Sequence, residues 1–109
     1  MAFDAELAGR IRTLLGDRVG EEKKVFGGLA FMIGGNMSIA ASSNGGIIVR
    51  VDPEESAELV ATTSAQLMEM RGRTMGGWLR LAHDDVADDD ALAPWVERGA
   101  AYASSLPPK

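Results

Sequence analysis

The residues whose types could do chemistry are few, and their spacing decides against most of it. His83 is the one histidine in the chain and stands in "LAHDDV" beside Asp84 and Asp85. Imidazole and carboxylate are ordinary ligands for a divalent metal. Yet neighbouring residues on a strand point to opposite faces, and no second histidine stands at ligand spacing. The pattern therefore reads as a solvent-exposed turn histidine. Asp88, Asp89 and Asp90 suit a helix cap better than a general acid/base pair. Asp4, Asp52 and Glu69 are too dispersed in sequence to be paired. Ser38, Ser42 and Ser43 lie outside any G-x-S-x-G turn, and with no cysteine there is no thiolate nucleophile, disulfide or zinc–thiolate cluster. No catalytic residue, cofactor or metal ion is expected.

Three Gly-Gly pairs in "VFGGLAFMIGGNMSIAASSNGGIIVRV", Val25 to Val51, raise a different chemistry, the holding of a phosphate. A phosphate loop needs backbone N–H groups converging at a helix N-terminus, commonly with a lysine and a hydroxyl after the glycines. The pairs at 27–28, 34–35 and 45–46 all precede strand-like residues. No G-x-G-x-x-G occurs, and no pair leads into Lys-Ser or Lys-Thr. These glycines are expected to turn the chain, with Asn44-Gly45 the strongest hairpin signal.

The elements that must position these residues follow from hydrophobic period. Leu7, Ile11, Leu14 and Leu15 make one stripe of a helix over about Asp4 to Leu15, with Asp4 as N-cap and Gly16 as the stop. Leu29, Phe31 and Ile33, then Met37, Ile39 and Ala41, then Ile47, Val49 and Val51 alternate as strands. They predict a three-stranded antiparallel meander, with Phe26-Gly27-Gly28 as its entry or a bulge. Asp52 and Pro53 start a second helix that runs to about Thr62 and buries Ala57, Leu59 and Val60. Leu67 to Met70 and Gly77 to Ala82 read as two strands around a Gly-rich turn, with Trp78 and Arg80 opposite Leu79 and Leu81. The last helix covers roughly Asp90 to Leu106, one face carrying Leu92, Trp95, Val96, Gly99, Tyr102, Ala103 and Leu106. Pro94 is awkward there, and the regular helix could begin at that proline. The result is a two-layer α+β fold: helix, three strands, helix, two strands, helix.

Composition narrows the function classes. The 109 residues suit one domain spanning 1–109, and 46% hydrophobic with 25% charged is ordinary for a globular protein. No apolar run approaches a membrane span, and "MAFDAELAGR" lacks the basic and apolar regions of a secretion signal, so a cytoplasmic location is expected. The net charge of −5 opposes direct DNA binding by the isolated chain.

The segment "MEMRGRTMGGWLR", Met68 to Arg80, is the most suggestive for function. Arginine and tryptophan are favoured interface anchors, and methionine adapts to irregular apolar surfaces. Arg71, Arg73 and Trp78 are the candidate interaction residues, while the methionines are expected to fill the core. One alternative is nucleic-acid binding through Lys23, Lys24, Arg71, Arg73 and Arg80, which requires these residues to converge. A second is a small-ligand or enzymatic pocket beneath the Gly-rich hairpins, which requires a cleft with convergent polar groups.

That segment, with "FGGLAFMIGGNMSIAAS" and "APWVERGAAYASSLPPK", resembles the TfoX/Sxy N-terminal domain family over nearly the whole chain. The most specific matches are Phe26-Gly27-Gly28, Gly35-Asn36-Met37, Met70-Arg71-Gly72-Arg73, Gly77-Trp78-Leu79 and Leu106-Pro107-Pro108. The resemblance implies the same element order, similar to secretion-chaperone-like two-layer folds. It also implies a link to transcriptional regulation and natural competence, in which relatives act with the cyclic-AMP receptor protein. Those longer regulators carry a helical C-terminal domain, whereas this sequence reads as the stand-alone N-terminal module. The expectation is a regulatory or protein-interaction module, with an unidentified protein partner, a possible homodimer through a sheet edge, and no membrane association.

Overall fold

The computed structural model describes residues 4–25, 27–43, 45–70 and 72–108. Helix α1, Ala5–Leu15, forms as its stripe predicts: the Asp4 carboxylate accepts from the N–H groups of Glu6 and Leu7, and Leu7, Ile11 and Leu15 are buried. A short 3-10 turn over Gly16–Arg18 leads into strand β1, Glu21–Val25. Strands β2, Gly28–Ile33, β3, Asn36–Ala41, and β4, Ile47–Arg50, follow as a meander. Helix α2, Ser56–Thr62, precedes β5, Gln66–Met70, and β6, Arg73–Leu81; helix α3, Asp89–Ser105, closes the chain. The α+β class is as expected, but four strands rather than three stand before α2, and all six form one antiparallel sheet in the order β1-β2-β3-β4-β6-β5.

The added strand is β1. Its sequence, EEKKV, has no apolar alternation, because an edge strand with four charged, exposed residues is held by its ladder rather than by a buried face. Val25 pairs with Gly28, so Gly27 lies in a hairpin turn from β1 and Gly28 opens β2, the first strand of the meander, as an entry rather than a bulge. Phe26, like Asn44 of the other hairpin signal, lies outside the described residues.

Three boundaries also differ. Asp52 caps a 3-10 turn, Pro53–Glu55, before α2 begins, and within α2 Ser56 and Leu59 are buried while Ala57 is exposed. The turn between β5 and β6 is shorter than the Gly-rich stretch suggested, since Arg73 to Gly76 already belong to β6. Helix α3 starts at Asp89, capped by the Asp88 carboxylate on the Ala91 N–H, and runs through Pro94 without a new start. As the sixth residue of the helix, Pro94 forfeits the hydrogen bond to the Asp90 carbonyl.

One row across the sheet carries Glu22, Phe31, Ile39, Val49, Leu79 and Leu67, one residue per strand. The next parallel row carries Leu29, Ala41, Ile47 and Leu81. Both rows face the helices. Leu7, Ile11 and Leu15 of α1, Leu59 of α2, and Leu92, Trp95, Val96 and Ala100 of α3 pack on them as a single core. Among the described residues, no helix is long and apolar enough to cross a membrane.

Two forked ion pairs hold the layers at their rim. Arg12 of α1 donates to both Glu22 carboxylate oxygens at 2.6 and 2.7 Å, and Arg18 donates to both oxygens of Glu97 at 2.7 and 2.6 Å. The guanidinium hydrogen bonds, more than the opposing desolvation, hold the Glu22 and Glu97 carboxyls below their usual range. A carboxyl with a lowered folded-state pKa adds stability above its unfolded value and loses it as pH falls through the folded one. The double variant Glu22→Gln/Glu97→Gln should therefore melt slightly below wild type at neutral pH, by about 1–3 °C for such exposed pairs. The two melting curves should converge once the pH drops below both folded-state values, as differential scanning calorimetry across an acid series will read.

Candidate interaction surface

Among the described residues, the three helices pack on one face of the sheet, and the other face is built from strands. An antiparallel sheet with one solvated face normally presents polar side chains there. Here one row on that face carries Lys23, Ala30, Ala40, Ile48, Arg80 and Gln66, again one residue from every strand. A second carries Glu21, Met32 and Met37 on one side and Arg50 and Trp78 on the other. Ala30 and Ala40 are buried, forming a floor, and Met32, Met37, Ile48 and Trp78 around it are half-buried. Three of the four inner strands, β2, β3 and β4, thus give an apolar strip, with Lys23 and Arg80 exposed at its two margins.

Two irregularities shape this face. Phe31 pairs with Ile39 but Met32 with Met37, so Ser38 is an extra residue in β3; its hydroxyl donates to the Phe31 carbonyl at 2.9 Å. In β6 the register with β5 slips by three residues between the Leu67–Leu79 and Met68–Met75 pairs. The slip falls at Gly76-Gly77, where the Gly77 N–H donates to the buried Ser56 hydroxyl at 2.7 Å and its carbonyl accepts from Val51. Gly77 has a φ of 86°, a conformation that costs a side chain dearly, and a Cβ there would crowd Pro53 and the Val51 carbonyl at 3.0 and 3.1 Å. Beyond this bend, residues 68–70 and 73–75 form a two-stranded arm at the sheet margin.

Of the sequence candidates, Trp78 is half-buried in the open face, and the Arg50 guanidinium lies 5.0 Å from its ring centroid and 5.7 Å from that of Tyr102 on α3. Arg50 was missed by sequence reasoning. Its signal was there in part, as a cation at the end of an otherwise apolar strand, but its pairing with Trp78 depends on the β4–β6 register. Among the described residues no carboxylate lies within ion-pair distance of Arg50, so its charge rests on two aromatic faces. Arg73 is exposed on the arm, across the Gly76-Gly77 bend from Trp78. Arg71 lies outside the described residues. Met68, expected in the core, is only half-buried on the edge strand.

The nucleic-acid set does not converge. Lys23 and Lys24 point to opposite faces of β1, and Lys23 is four strands from Arg80, roughly 19 Å at normal strand spacing. His83 is half exposed in a 3-10 turn, with its Nε2 3.4 Å from an Asp4 carboxylate oxygen. A cleft of about 340 Å³ opens near the β3–β4 turn, lined by Ser64, Gln66, Glu69, Arg80 and His83 among others. Within it Arg80 donates to the Gln66 amide oxygen at 3.1 Å. Its charges are mixed, which defines no single ligand.

The model of the TfoX N-terminal domain family matches residues 17–103, from the turn after α1 almost to the end of α3. No curated protein matches the chain significantly.

Proposed function

Because the chain belongs to the TfoX N-terminal domain family, we propose that it is a regulatory module that docks on another protein through the open face of its sheet, without a catalytic step of its own. The observation that carries this reading is the apolar strip of Ala30, Ala40, Met32, Met37, Ile48 and Trp78 on a face that no described helix packs over, α3 reaching only Arg50 at its margin through Tyr102. Contiguous apolar surface rimmed by charge is the usual mark of a protein contact. The rim also describes the partner. Lys23, Arg50 and Arg80 share this side of the sheet with Glu21, and Glu69 and Asp85 line the cleft beside Arg80, so the rim carries both signs of charge. An apolar partner surface with charges of both signs at its margins fits it. The family's tie to transcription and competence, and a cytoplasmic site of action, belong to this same reading.

A photo-crosslinking residue in place of Met37, in living cells, is expected to capture a protein that the same residue in place of exposed Glu58 on α2 does not. Adding Ile48→Lys should abolish the capture while leaving the fold intact by circular dichroism. Equal capture at both positions, or capture of nucleic acid at Met37, would sink the docking reading.

A further inference from the structure

Among the described residues, strand β5 ends the sheet, with β6 on one side and no strand on the other. The two edges of this sheet differ sharply in chemistry. β1 presents four charges in five residues, the ordinary means of keeping a sheet edge solvated. β5 reads Gln66-Leu67-Met68-Glu69-Met70, with one charge, no proline and no lysine. Nothing in its sequence blunts it.

We propose that β5 is a self-association edge, pairing antiparallel with β5 of a second copy about a two-fold axis through Met68. In that register Met68 faces Met68, Leu67 faces Glu69, and Gln66 faces Met70. All five residues pair and no charge stands opposite a charge. Sliding the axis by one residue to Glu69 would set two carboxylates face to face, which cross-strand pairs do not tolerate well. The contact is isologous, so it closes as a dimer and joins two six-stranded sheets into one. β1 could also align its carboxylates with ammonium groups of another β1. Exposed pairs of that kind contribute little, however, and both Glu22 oxygens are already taken by Arg12. The pairing edge and the open face are different surfaces, so this inference does not depend on the docking reading.

Five residues of strand pairing make a small interface, so the dissociation constant should be on the order of tens of micromolar. Two chains of net charge −5 repel each other, and added salt should therefore tighten the dimer. Sedimentation velocity is expected to show wild type passing from monomer to dimer over that concentration range. Met68→Glu and Met68→Lys should each be monomeric, since each puts like charges directly across the axis, whereas an equal mixture of the two should dimerise. In wild type, hydrogen exchange at residues 66–70 should slow as concentration rises, while residues 21–25 stay unchanged. The exchange measurement needs no variant to fold. A monomer at about ten times the expected constant, a failure of the mixture to associate, or protection appearing at β1 instead would overturn the proposal.

Discussion

Replacement of Phe31 by alanine is expected to lower the unfolding free energy by about 3–5 kcal/mol, the usual cost of emptying a fully buried aromatic site. Phe31 is completely buried and sits between Glu22 of the edge strand and Ile39 in the row that faces the helices. On its strand it pairs with Ile39, its carbonyl accepts the Ser38 hydroxyl, and the Arg12 guanidinium stands 5.8 Å from its ring centroid. The site has little freedom to collapse, because the neighbouring sheet rows and two helices are fixed by other contacts. For a chain of 109 residues with a total stability of roughly 5–15 kcal/mol, the loss is a large fraction of the whole. Urea unfolding will read it as a lower midpoint at an unchanged slope. Phe31→Leu should recover much of the loss; a Phe31→Ala midpoint within error of wild type would mean that this row is not the core.

Gly99→Ala should destabilise by about 1–3 kcal/mol, although the same change in an open helix is favourable. A methyl group on Gly99 would lie 2.5 Å from the Ser38 carbonyl oxygen and 3.0 Å from Val49 Cγ2. Both neighbours belong to the sheet, and the first is backbone, so α3 itself must lift. That movement would strain the packing of Trp95, Val96 and Ala103 on either side. Gly9 supplies the internal comparison. It lies within α1, and a methyl group there would meet nothing within 4 Å, so Gly9→Ala should gain about 0.5–1 kcal/mol from helix propensity alone. Opposite shifts in the urea midpoints for two substitutions of identical chemistry would confirm the close approach of α3; a gain at both positions would refute it.

The tight seat of α3 shows how far sequence reasoning reached. Gly99 was legible as a member of the buried stripe, since helical period places it with Leu92, Trp95, Val96 and Ala103. Nothing in that period says that the Ser38 bulge is what it touches. The same division holds along the chain. Asp4, Asp88 and Gly16 mark helix ends because caps act within a few residues, and Leu79 with Leu81 opposite Trp78 follows from strand alternation alone. β1 was not legible, because a charged edge strand exists only through its hydrogen bonds to β2.

The candidate surface divides likewise. Trp78 was visible as an anchor by type, whereas Arg50 gained its place from a cross-strand register and from Tyr102 some fifty residues later. Arg73 proved to stand apart from Trp78 because the Gly-rich stretch before Gly77, which read as a turn, belongs to β6 and bends at Gly76-Gly77.

By itself the sequence determined the α+β class, both ends of α1, the main buried stripes and the family, since these rest on local period, capping and ordered short motifs. Only the tertiary structure decided that all helices crowd one side of a single six-stranded sheet. Which face is left open, and which edge is left unguarded, depend on strand order and register. Those are set by contacts between residues distant in sequence, and no local pattern encodes them.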